Sequence, residues 1–171
     1  MTGVNNTNVG GFTVMELLVA MTIAAVMMVM AIPAFNDFTA QRSMAAAGNT
    51  LVSAVNYARN EAARTGNDVS LRTMVMDAAN EWGSGFCATA DPDDCNDPFR
   101  VFVSEGRGVT FNAINGLDGV DRWTFNSRGM LTGGINGEVR ICGTDADQDP
   151  GRLLRLSPIG RATVEEFDCF P

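Results

Sequence analysis

The chain has 171 residues, 20 acids against 12 bases and a net charge of −8. An acidic balance argues against a protein built as a whole around nucleic-acid phosphates, although a local arginine patch stays open, because all 12 bases are arginine. Histidine is absent, which removes the commonest general base and metal ligand; with no nucleophile beside a base and no phosphate loop, the sequence predicts a non-enzyme.

The first predicted element starts at Gly11 and reads GFTVMELLVAMTIAAVMMVMAIPAF. From Phe12 to Phe35 there are 24 residues (35 − 12 + 1) with Glu16 as the single charge. As a helix they span roughly 36 Å, enough to cross a bilayer. A cleavable secretory signal fits poorly, since the first 11 residues hold no Lys or Arg and no clear small-residue cleavage site follows the apolar core. A plain anchor explains the length but not Glu16, because a carboxylate in hydrocarbon is costly and marks a functional position by default. A local role is also available. Thr13-Val14-Met15-Glu16 has the capping-box pattern, in which the acid reaches back to a free N–H at the helix start.

Pro33 is expected to bend this helix, because it removes a backbone donor and crowds the preceding turn. Beyond it the helix is predicted to resume and to run to about Thr65. Met44, Gly48, Leu51, Val55, Ala58 and Ala62 recur at spacings of four and three, one apolar face of a helix. Its small residues suit close packing on a sheet, and Gly66 stands where a left-handed cap commonly ends a helix. Glu61 and Arg64 form an i,i+3 pair.

After Gly66 the period changes to alternation. Predicted strands are Asp68 to Met76, Phe99 to Val103, Val109 to Ala113, Arg122 to Asn126, Glu138 to Cys142, Arg152 to Ser157 and Ala162 to Glu166. Turn chemistry separates them at Gly83-Ser84-Gly85, Gly106-Arg107-Gly108, Asn115-Gly116, Gly133-Gly134 and Asn136-Gly137. About 105 residues remain for this unit, enough for a single core. The expected fold class is therefore α+β, with the amphipathic helix half covering an antiparallel sheet or sandwich. Trp82, Phe86, Trp123 and Phe125 are read as core or turn-packing aromatics.

Four cysteines allow three pairings. The favoured one joins Cys87 to Cys95 across a short polar loop and Cys142 to Cys169 near the carboxyl terminus, and an even count after an export element fits an oxidising compartment. Zinc is the alternative, without CxxC spacing or histidine to support it. Two acidic clusters are weighed between solvated turn and calcium loop; the first is read as a solvated turn and the second stays open. Asp145, Asp147 and Asp149 alternate like the opening of a calcium loop, but the glycine comes one place late and Leu156 stands where the closing acid belongs. The other comprises Asp91, Asp93, Asp94 and Asp97.

Gly11-Phe12-Thr13-Val14-Met15-Glu16-Leu17-Leu18 resembles the processing motif of type IV pilins and type II secretion pseudopilins, and Pro33 matches their helix-kinking proline. The resemblance implies that a prepilin peptidase cuts between Gly11 and Phe12 and methylates the amine of Phe12, leaving 160 residues (171 − 11). The leader departs from the pattern in lacking basic residues. The string Tyr57-Ala58-Arg59-Asn60-Glu61-Ala62-Ala63-Arg64-Thr65-Gly66, followed by Val69-Ser70-Leu71, is similar to the H-type minor pseudopilins and the T- and U-type minor pilins.

What the resemblance implies is a pilin-like fold. A leader spans 1–11, a transmembrane and assembly helix 12–35, the amphipathic helix half 36–66 and a periplasmic β-rich domain 67–171. The expected place is the inner membrane, single-pass, and then a pilus or pseudopilus fibre. Expected partners are other pilin or pseudopilin subunits, the prepilin peptidase, the inner-membrane assembly platform and the lipid bilayer. Glu16 would pair with the terminal amine of a neighbouring subunit, and the protein would act in the tip or priming complex. No cofactor is expected; some relatives hold calcium, for which the two acidic clusters are the available places.

The alternative is a pilus-borne DNA receptor for natural transformation. T-type minor pilins resemble one another in a Gly-Arg-x-Arg motif, of which Gly160-Arg161-Ala162-Thr163 keeps the first arginine and loses the second. Arg152, Arg155 and Arg161 could gather on one side of the sheet to contact phosphate.

Overall fold

A computed structural model describes residues 12–75, 82–103, 108–134, 136–144 and 150–170. By its contacts the chain divides into two compact units, Met1–Asn36 and Asp37–Pro171. One helix, α1 (Val14–Thr65), is assigned across position 33 and contributes to both. In the first unit every described side chain of α1 is exposed, including Leu17, Leu18, Ile23, Met27, Val29 and Ile32. By length and composition this helix is apolar enough to cross a membrane, and it offers no continuous polar face to water.

In the second unit α1 buries a stripe. Met44, Ala47, Gly48, Leu51, Ala54, Val55, Ala58, Glu61 and Ala62 are buried, the expected spacing widened by Ala47 and Ala54 into the broad face that a sheet requires. α1 stops where predicted. Gly66 donates its N–H to the Ala62 carbonyl at 2.9 Å and takes φ +71°, a left-handed cap that glycine adopts without a Cβ clash.

Eight strands follow: β1 (Val69–Thr73), β2 (Phe86–Thr89), β3 (Arg100–Phe102), β4 (Val109–Ile114), β5 (Arg122–Phe125), β6 (Gly137–Gly143), β7 (Gly151–Leu156) and β8 (Ala162–Phe167). They form two four-stranded sheets, ordered β3-β2-β1-β5 and β4-β6-β7-β8, with every pairing antiparallel. β4 and β6 bury alternate residues, the pattern of strands with one face inward. β1 ends at Thr73, short of the expected Met76: Met74 still donates its N–H to the Gly85 carbonyl at 3.0 Å, but the chain bends at Met74 and Val75. β2 has no counterpart among the predicted strands. All four of its residues are buried, so it shows no alternation to read.

One apolar cluster joins the helix stripe to both sheets. Trp82 and Trp123 stack at 4.0 Å between ring centroids, and Phe86 lies between Trp82 and Phe102. Tyr57 of α1 meets Phe102 edge-on at 5.8 Å. On the second sheet, the helix comes close at Gly48, where an added Cβ would stand 3.5 Å from Val164 and 3.6 Å from Ile141.

Candidate assembly site and the arginine face

At the start of α1 the capping-box geometry is present. Thr13 Oγ1 accepts from the Glu16 backbone N–H at 3.2 Å, and Glu16 Oε2 accepts from the Thr13 backbone N–H at 3.3 Å. Two of the N–H groups that a helix start leaves unpaired are thus satisfied. The carboxylate is folded back onto the Thr13 backbone, and the preceding Phe12 is 86% exposed. Gly11 lies outside the described residues. Pro33 lies inside α1.

The cysteines are joined as Cys87–Cys95 and Cys142–Cys169. The first closes the loop that carries Asp91, Asp93 and Asp94. Asp91 and Asp94 there accept backbone N–H groups two residues on, from Asp93 at 2.9 Å and Asn96 at 3.0 Å, while Asp93 pairs with Arg122 at 2.9 Å. Asp91 and Asp94 are thus engaged in turn formation and Asp93 in an ion pair, and the described residues contain no group of three or more ligands able to hold a metal ion. Asp145, Asp147 and Asp149 lie outside the described residues.

The three C-terminal arginines are not gathered on one side. Arg152 and Arg155 are an odd number of residues apart on β7, so they project to opposite faces. Their partners agree: Arg152 reaches Glu166 at 3.6 Å, whereas Arg155 is held at 2.9 Å by both Glu138 and Glu165. Asn115 Nδ2 donates to the other Glu138 oxygen at 2.6 Å. Only Arg161 of the three makes no ion pair among the described residues. It lines an open groove of about 660 Å³ with Arg155, Glu138, Ser157 and Thr163.

Arg59 is a residue that periodicity did not single out. Its Nε donates to the Gly129 carbonyl at 2.9 Å, and it packs beneath Gly160, where an added Cβ would fall 2.4 Å from the Gly129 oxygen and 2.8 Å from Arg59 Nε. The sequence signal was an arginine at the edge of the buried stripe, four residues after Val55 and three before Ala62.

A family model described as type II transport protein GspH matches residues 47–160, two thirds of the chain. This chain belongs to the GspH family. A model of the prokaryotic N-terminal methylation motif matches residues 6–32, which include Phe12 and Glu16. Two crystal structures of the type IV minor pilin FimU of Pseudomonas aeruginosa PAO1 are similar to this GspH-family chain. One has TM-score 0.62 and 24% identity over 75% of this chain and 92% of FimU. The other has TM-score 0.58 and 25% identity over 70% and 90%. A comparison with curated protein sequences finds no match. The chain is thus a member of the type IV pilin and pseudopilin superfamily, whose members are structural subunits, and its long helix on antiparallel sheets is the fold of FimU.

Proposed function

We propose that this GspH-family protein is cut between Gly11 and Phe12 by a prepilin peptidase, methylated at Phe12, and assembled through α1 into the tip or priming complex of a type IV pilus or secretion pseudopilus. Before assembly it sits in the inner membrane with its β-rich unit in the periplasm and meets the assembly platform there. The observation that carries this reading is the first unit: an apolar helix exposed on every side whose single acid is turned toward its own start. In hydrocarbon a carboxylate and an amine are each costly alone and far less so when paired. Glu16 therefore gains a counter-ion when a neighbour's Phe12 amine arrives, which fixes the register between subunits. A bend at Pro33 would let the two halves of α1 follow different surroundings.

Mass spectrometry of the amino terminus of protein isolated from cells tests the reading. The expected terminus is N-methylated Phe12; a terminus at Met1 or after Ala34 overturns it. The second reading, a DNA receptor, is favoured by Arg161 alone, while the acids holding Arg152 and Arg155 weigh against it.

A further inference from the structure

The turn between β7 and β8 exposes Ile159 and Arg161 while its backbone is held from several sides. Ser157 N donates to Arg161 O at 3.0 Å and Gly160 N to Ser157 O at 2.8 Å, while Leu131 N donates to Pro158 O at 2.9 Å. Arg161 N also donates to Ser157 Oγ at 3.2 Å. Beneath it, Gly160 lies so close to the Gly129 carbonyl and Arg59 that no Cβ fits. This fixed turn holds Ile159 out to solvent, 61% exposed, beside the exposed Arg161. A large aliphatic side chain and a guanidinium with no ion pair among the described residues, both on a backbone that is already ordered, make a contact point that costs little further ordering on binding.

We propose that this turn is a docking knob for a neighbouring pilin-family subunit, with Ile159 entering an apolar hollow and Arg161 pairing with a carboxylate at its rim. The proposal rests on the subunit reading above. Charge supports a protein partner: a neighbour composed like this chain carries 20 acids to 12 bases and offers a carboxylate readily. DNA fits less well. Binding to a phosphate backbone draws on several cations acting together, whereas Arg155 is held by Glu138 and Glu165 and Arg152 lies on the other face. Ile159 would also have nothing to bind on a phosphate backbone.

The test uses the full chain in its own cells, with Ile159 replaced by the photocrosslinking residue p-benzoylphenylalanine. The expected result is an adduct with another pilin-family subunit, lost when Arg161→Glu is added. Ile159→Ser and Arg161→Glu should each leave the melting temperature unchanged, since both side chains are exposed, and lower recovery in the fibre several-fold. Normal incorporation of both variants, or a chain present in fibres without an adduct at 159, overturns the knob and leaves the subunit reading standing. A chain absent from fibres altogether overturns both. Retardation of DNA by the unaltered protein, lost on Arg161→Ala and kept on Ile159→Ser, assigns the turn to nucleic acid instead.

Discussion

Arg59 reaches from α1 to the carbonyl of Gly129, and the space it fills is the space that a side chain at Gly160 would need. Helix and turn are therefore coupled at a point where neither is apolar. Gly160 combines this contact with φ +75°. A left-handed backbone costs alanine about 1–2 kcal/mol, and the methyl would also strike the Gly129 oxygen. Gly160→Ala is expected to lower stability by about 2–4 kcal/mol, read as a melting temperature lower by roughly 10 °C.

Gly48→Ala provides the contrast. The new methyl would meet Val164 and Ile141 at ordinary contact distances and would replace the poorest non-proline helix former with the best. The expected change lies between none and a gain of about 1 kcal/mol. A loss above that size would show that the helix and the second sheet are closer than their contacts imply.

The two disulfides should differ in worth. Loop-closure entropy predicts about 2.5 kcal/mol for the bridge spanning 8 residues and about 3.5 kcal/mol for that spanning 27. Paired Cys→Ser variants of the full chain, melted in detergent, are expected to rank Cys142–Cys169 as the more costly loss. The reverse order would mean that strain or residual structure, not chain entropy, sets their value.

Acid should weaken the Glu61–Arg64 pair. The hydrogen bond from Arg64, with Nε donating to Glu61 Oε2 at 3.0 Å, lowers the carboxyl pKa against the opposing pull of burial. A folded-state pKa below the unfolded value of about 4.3 contributes stability that is complete above that value and disappears as pH falls through the folded pKa. Comparing wild type with Glu61→Gln between pH 7 and pH 3, the wild type is expected to hold its advantage at neutral pH and to lose it progressively as the pH falls below the unfolded value of about 4.3. A constant difference across that range would remove the role.

Glu16→Ala is expected to insert and to be cleaved as usual but to enter fibres poorly, measured by its share of sheared fibre protein. Losing its half of the capping box costs about 1 kcal/mol locally, too little to stop insertion. Normal incorporation would leave Glu16 with its capping role alone.

What the sequence disclosed followed burial period. β4 and β6 alternate and were legible to within two residues at each end; the α1 stripe was legible because its repeat persists for five turns. β2 was hidden since Phe86, Cys87, Ala88 and Thr89 are buried together, and Cys87 invited reading as a loop anchor. The motif around Phe12 and Glu16 was visible because a glycine, an aromatic and an acid interrupt an apolar run. The arginine face misled for a geometric reason: residue identity does not reveal which side of a strand a side chain takes until the register is known, and Arg152 and Arg155 differ by an odd step. Arg59 was overlooked because its partner is a carbonyl 70 residues away, with no side-chain chemistry to flag it.

The bridge from Cys142 to Cys169 also decides how the protein would bear tension. Cys142 belongs to β6, an inner strand of its sheet, and Cys169 follows the edge strand β8. A pull on the last residues would otherwise unzip β8 from β7 one hydrogen bond at a time. With the bridge closed the pull is delivered to β6, and the ladders on both sides of that strand share the load.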